Sequence, residues 1–181
     1  RLGENSTYAC TGFSGGLPTH DQISQLLGEC KRHDHPDLET VVRICLATGA
    51  RWSEAESLRK SQLAKYKITY TNTKGRKNRT VPISKELYES LPDDKKGRLF
   101  SDCYGAFRSA LERTGIELPA GQLTHVLRHT FASHFMMNGG NILVLQRVLG
   151  HTDIKMTMRY AHFAPDHLED AVKLNPLNTF S

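Results

Sequence analysis

The chain has 181 residues, 38% of them hydrophobic, which is enough for one substantial core and ordinary for a globular domain. Its 24 Lys and Arg against 19 Asp and Glu leave a formal charge of +5 and a pI near 9.1, a balance that suits a polyanionic partner without requiring one. No run approaches the length of a membrane helix, no signal peptide is visible, and Cys10, Cys30, Cys45 and Cys103 form no C-x-x-C pair, so a reduced protein working in the cytoplasm is expected.

Residues 1–18, RLGENSTYACTGFSGGLP, are rich in Gly, Ser and Thr and follow neither hydrophobic period, which reads as a linker or extended lead-in. Helical patterning begins after Thr19, a suitable N-cap, with Ile23, Leu26 and Leu27. A second helix follows Pro36, carries Leu38, Val41, Val42, Cys45 and Leu46, and is stopped by Gly49. Ser53 and Glu56 have capping-box spacing, so a third helix is expected there, with Arg51 in the tight connection before it. YKITYTNT and RTVPI have strand character and KGRKN supplies a turn, so Lys74 should stand at the lip of a hairpin. Further helices are expected over 84–91, 102–114, 122–138, 141–149, 152–160 and 166–174. The fold class is therefore mainly α with a small antiparallel β-sheet at one edge.

Several polar residues are hard to explain by packing. On a helix over 122–138, with a turn of about 100 degrees per residue, Leu123, Leu127 and Phe131 make an apolar stripe, and His125, Arg128 and His129 take the opposite sector. Three-residue spacing makes His125 and Arg128 neighbours that can converge on one phosphate. His134 falls on the apolar stripe and reads as a hydrogen-bonded core histidine, while His129 suits an orienting or structural hydrogen bond. His125 and His129 also invite a zinc reading, but no glutamate follows the first histidine and no cysteine lies near in sequence. His151 emerges just after Gly150 ends a helix, and Tyr160 follows in MRYAH. Arg51 in TGARWSEAE and Lys74 in NTKGRKNRT complete a collection suited to phosphodiester chemistry, since planar guanidinium groups can fork onto phosphate oxygens and a tyrosine can be the nucleophile.

The joint order of TGARWSE, a lysine-bearing strand-turn-strand, H-x-x-R-H, LGH and a tyrosine in MRYAH resembles the catalytic domain of tyrosine recombinases, the integrase family, from about Thr19 to about Leu174. The wording of the motifs is nearest to integrases of temperate enterobacterial phages of the P-two type. The resemblance implies the recombinase catalytic-domain fold over residues 19–162, preceded in a full-length protein by a further DNA-binding region, and a site-specific recombinase that integrates and excises DNA. It implies that Tyr160 attacks a DNA phosphate to form a 3′-phosphotyrosyl link, with His125 as proton acceptor, Arg51, Arg128 and His151 stabilising the transition state, and Lys74 protonating the 5′ oxygen. Glu54 would support the first arginine, Lys77 and Arg79 would contact the DNA backbone, and no metal, cofactor or ATP is needed.

The implied partners are double-stranded DNA at phage and bacterial attachment sites, further copies of the chain in a tetramer, integration host factor and an excisionase or other directionality factor. The tail, residues 163–181, has an amphipathic segment bounded by Pro165 and Pro176, which either packs on its own domain or, as the resemblance implies, docks on a neighbouring protomer. Two rival functions use part of the same set: a type IB topoisomerase would share the chemistry but relax supercoils as a monomer, and a non-catalytic DNA-binding module would need only the basic surface.

Overall fold

The computed structural model describes residues 17–71, 78–118 and 121–180. The lead-in up to residue 16, and Lys74 and Lys77 in the connection between two strands, lie outside the described residues. Helix α1 (His20–Arg32) opens as its sequence suggests: the Thr19 hydroxyl oxygen accepts from the Gln22 N–H, and the Gln22 side-chain oxygen accepts from the Thr19 N–H, forming a capping box. Helix α2 (Leu38–Thr48) ends at Gly49 in the left-handed conformation, φ 69°. Glycine is required there twice over, because a Cβ would also come within 2.5 Å of Phe131 and 2.8 Å of Leu149.

Helix α3 (Trp52–Glu56) starts two residues earlier than a Ser53 cap would place it. Arg51 is its N-cap residue, and Glu54, not Glu56, closes the start by accepting from the Arg51 N–H at 2.9 Å. Glu56 is used elsewhere: it accepts from the Trp52 indole at 3.0 Å and from the Cys103 N–H at 2.9 Å, tying α3 to the start of α5 (Tyr104–Thr114). Trp52 stacks on Phe107 with centroids 4.6 Å apart, so this junction is packed as well as bonded.

Three antiparallel strands follow in the order β1 (Leu63–Ala64), β2 (Lys67–Tyr70), β3 (Arg79–Pro82). The short β1 carries too few residues to show a period, and its turn puts Tyr66 at φ 64°. Helix α4 (Lys85–Ser90) is capped by Ser84.

Helix α6 (Val126–Met137) is the hinge of the packing. Val126 and Leu127 belong to a large core with α1–α5 and the sheet, whereas Ala132 and Met136 join a second cluster with Leu145, Leu149, Tyr160 and Phe163. Helix α7 (Ile142–Leu149), capped by Asn141, ends at the left-handed Gly150, and α8 (Ile154–Met158), capped by Asp153, leads directly to Tyr160. The described part of the tail holds a short helix, α9 (Asp170–Leu174), and a 3-10 turn (Pro176–Phe180). No helix among the described residues is long and apolar enough to cross a membrane.

Candidate active site

The expected division of α6 into an apolar and a polar face is not what the structure shows. The helix begins at Val126, so His125 is its exposed N-cap residue, while Arg128 and His129 are 5% and 7% exposed beside the apolar Leu127. Because α6 lies between two cores, its polar side chains are buried and must find partners inside.

Arg128 finds them at two helix ends. Nη1 donates to the Gly49 carbonyl at 2.7 Å and Nη2 to the Leu149 carbonyl at 2.6 Å. These carbonyls terminate α2 and α7, where unsatisfied acceptors and the negative end of the helix dipole favour a cation. Burial, followed by the charges of Arg51 and Arg79, draws its pKa down to about 10, so the guanidinium remains charged at neutral pH.

Arg51 is half-buried in the Gly49–Trp52 connection, and its Nη1 lies 3.7 Å from Glu54 Oε1. Glu54 is held in turn by Arg79 through two bonds of 2.7 and 2.9 Å, while Arg79 Nε donates to the Val148 carbonyl at 2.9 Å. Burial raises the Glu54 pKa, but the bonds from Arg79 and the Arg51 backbone outweigh it, so the carboxyl sits below its ordinary value.

The inward placement corrects one expectation. Arg79 is 8% exposed, lies 4.6 Å over the Tyr70 ring, and has its guanidinium occupied by Glu54 and Val148, so it braces the site from within instead of facing a DNA backbone. Alternation along β3 carried the signal: Arg79, Val81 and Ile83 are buried, whereas Thr80 and Pro82 are exposed.

His151 follows Gly150 as expected and is half-buried. Its Nδ1 pairs with Thr157 Oγ1 at 2.8 Å, and Arg128 Nη2 lies 3.4 Å from its Nε2. Arginine can only donate, so this contact makes Nε2 the acceptor and leaves Nδ1–H to donate to Thr157. Thr157 is fully buried one turn before Tyr160 and links His151 to the helix that leads into the tyrosine.

Tyr160 is 4% exposed, packed among Leu145, Leu149 and Phe163. Its hydroxyl is hydrogen-bonded to His129 Nδ1 at 2.5 Å, not to His125. Burial raises the phenol pKa, and the charges of Arg159 and Arg128 pull against that rise. His134 is the hydrogen-bonded histidine its position suggests, donating from Nε2 to the Pro18 carbonyl at 3.0 Å. The structure thus brings Arg51, Arg128, His151 and Tyr160 into one locality, with Glu54 and Arg79 behind them and His125 at the rim.

A helical domain with an edge sheet, built around this arginine, histidine and tyrosine set, has a family. The chain belongs to the phage integrase family, whose model matches residues 18–167. It is 99% identical over 159 residues to the integrase of Escherichia phage 186, spanning 88% of this chain and 47% of that protein. It is 47% identical over 163 residues to the integrase of Escherichia phage P2, spanning 90% of this chain and 47% of that protein. Among solved structures, the catalytic domain of bacteriophage HP1 integrase superposes with a TM-score of 0.87 at 65% identity, covering 92% of this chain and 98% of that one. The chain therefore spans a little under half the length of these phage integrases.

Proposed function

We propose that this chain is the strand-cleaving and rejoining domain of a site-specific recombinase that integrates and excises phage DNA. The observation that carries the reading is the anchoring of Arg128 by the Gly49 and Leu149 carbonyls beside His151, with Arg51 and Tyr160 close enough to share its field. Such a fixed cationic corner suits a phosphate whose charge grows during reaction, because pre-placed donors need no reorganisation at that moment.

In this reading Tyr160 attacks phosphorus, the 3′-phosphotyrosyl bond forms, and the 5′ oxygen departs. Arg51, Arg128 and His151 donate to the non-bridging oxygens, and Lys74 protonates the leaving oxygen. A phosphate would replace the Arg128 contact at His151 Nε2 and select the form that carries a proton there. Glu54 and Arg79 position Arg51, and Lys77 contacts the backbone.

The covalent link conserves the energy of the broken bond, so a 5′-hydroxyl from a second DNA can reverse the step without ATP. Complete recombination needs four exchanges, which assigns the domain a tetramer on attachment-site DNA, assisted by integration host factor and an excisionase.

The tail, residues 163–181, is the docking segment of this assembly, rooted in the domain's own core by the buried Phe163. Leu168, Val172, Leu174, Leu177 and Phe180 are between 73% and 83% exposed, which favours a neighbouring protomer over packing on the domain's own core. Strand exchange between two attachment-site DNAs is the test. Joined recombinant strands that disappear in Tyr160→Phe are expected, and relaxation of supercoils without exchange would favour the topoisomerase reading.

A further inference from the structure

We propose that His129, the second histidine of H-x-x-R-H and outside the catalytic set that the resemblance implies, receives the Tyr160 proton when the tyrosine attacks phosphorus. The inference rests on the reading of Tyr160 as nucleophile and adds the partner that takes its proton. The geometry is direct: His129 Nδ1 is 2.5 Å from Tyr160 Oη, and both residues are almost fully buried. His125 is exposed at the N-cap of α6, and its ring centroid is 6.1 Å from that of His129. A proton leaving Tyr160 therefore meets His129 first, and His125 stands next on the side toward water.

Burial, with the charges of Arg159, His125 and Arg128, pulls the His129 pKa to about 4, so the imidazole is neutral at pH 7 and can present a lone pair. A base this weak would not deprotonate a resting phenol. The situation changes during attack. As the Oη–P bond forms and the P–O5′ bond breaks, the phenolic oxygen gives electron density to phosphorus and its proton becomes strongly acidic, so late transfer to Nδ1 runs downhill. The electron pair of the broken bond stays on the 5′ oxygen. The imidazolium that results is itself acidic and returns its proton to solvent.

Two measurements test this. In a nitrogen-15 spectrum of the histidine-labelled chain at pH 7, His129 Nδ1 should be an unprotonated, hydrogen-bonded nitrogen whose signal moves in Tyr160→Phe; a protonated Nδ1 overturns the proposal. The chemical step is read with His129→Gln, which keeps an acceptor but cannot carry the proton, in a protein of its relatives' full length on nicked attachment-site DNA. Covalent adduct formation should fall about a hundredfold at pH 7 and then climb tenfold per pH unit as hydroxide replaces the missing base, while the unsubstituted protein stays level. Fluorinated tyrosine at position 160, a more acidic phenol, should restore most of the loss. A rate reduced equally at every pH, or unchanged, overturns the role of His129. Tyr160→Phe run alongside separates the two readings, because an adduct that survives there removes the nucleophile itself.

Discussion

Replacing Arg79 with Met tests whether this arginine braces the site or binds DNA. The substitution keeps an unbranched apolar stem over Tyr70 but removes three hydrogen bonds, two to Glu54 and one to the Val148 carbonyl. The Arg79 side chain is 7% exposed and Glu54 19% exposed, so the stranded carboxylate regains little water. Breaking a buried ion pair on one side costs about 3–5 kcal/mol, and partial rehydration of Glu54 places this one near the lower end, about 3 kcal/mol. For a chain of this size that corresponds to a melting temperature lowered by roughly 6–12 °C.

Because Glu54 also holds Arg51, and Arg79 touches the end of α7 that precedes His151, cleavage should fall by more than stability alone explains, with DNA affinity little changed. Circular dichroism melts, single-turnover cleavage and DNA binding are measured on the same preparation. The Arg79→Met, Glu54→Leu pair should recover most of the stability and none of the cleavage. The acid limb gives a further check with a definite sign. The folded Glu54 pKa lies below its ordinary 4.5, so its contribution is present above that value and is lost as pH falls through the lowered folded pKa. Arg79→Met should flatten this acid-side loss. An Arg79→Met domain as stable as the parent, but with weakened DNA affinity, would refute the bracing role and restore a backbone contact.

Arg128→Lys keeps a charge but can satisfy only part of the Gly49 and Leu149 geometry, so cleavage should drop by about two orders of magnitude or more while DNA binding changes little, as single-turnover rates and gel-shift affinities will show. Lys74→Ala should be slow on ordinary DNA and recover when the bridging 5′ oxygen is replaced by sulfur, a leaving group that needs little protonation; equal impairment on both substrates would make the lysine a positioning group. Removing residues 166–181 should leave the domain folded by circular dichroism and able to bind one site, but weaken assembly in sedimentation experiments, since the exposed Leu168, Val172 and Leu174 would be gone.

Much of this architecture was legible because it depends on local rules. The Thr19 cap, the Gly49 and Gly150 stops and the helices that carry the site follow from residue types within a few positions of one another. The inward turn of the charged set was harder to read. A helix period places His125, Arg128 and His129 on one polar sector, but it cannot reveal that a second cluster covers that sector, and so the periodicity misses the burial of Arg128 and the His129–Tyr160 pair. Arg79 was masked by its neighbours, because its place at the end of the basic turn sequence KGRKNR suggests a DNA-facing side chain even though the alternation of Arg79 with Val81 already places it inward. Glu56 shows a similar competition: its spacing from Ser53 suits a cap, yet the Trp52 indole and the Cys103 amide, which is distant in sequence, take its carboxylate.

The central claim is that Tyr160 becomes covalently joined to DNA. Trapping the reaction on a nicked attachment-site duplex, digesting the adduct with protease and sequencing the nucleotide-bearing peptide by mass spectrometry tests it directly. The account predicts a 3′-phosphate linked to Tyr160 in the MRYAH peptide and a free 5′-hydroxyl on the released strand. A link to any other residue, or a released strand ending in a 5′-phosphate, would contradict it.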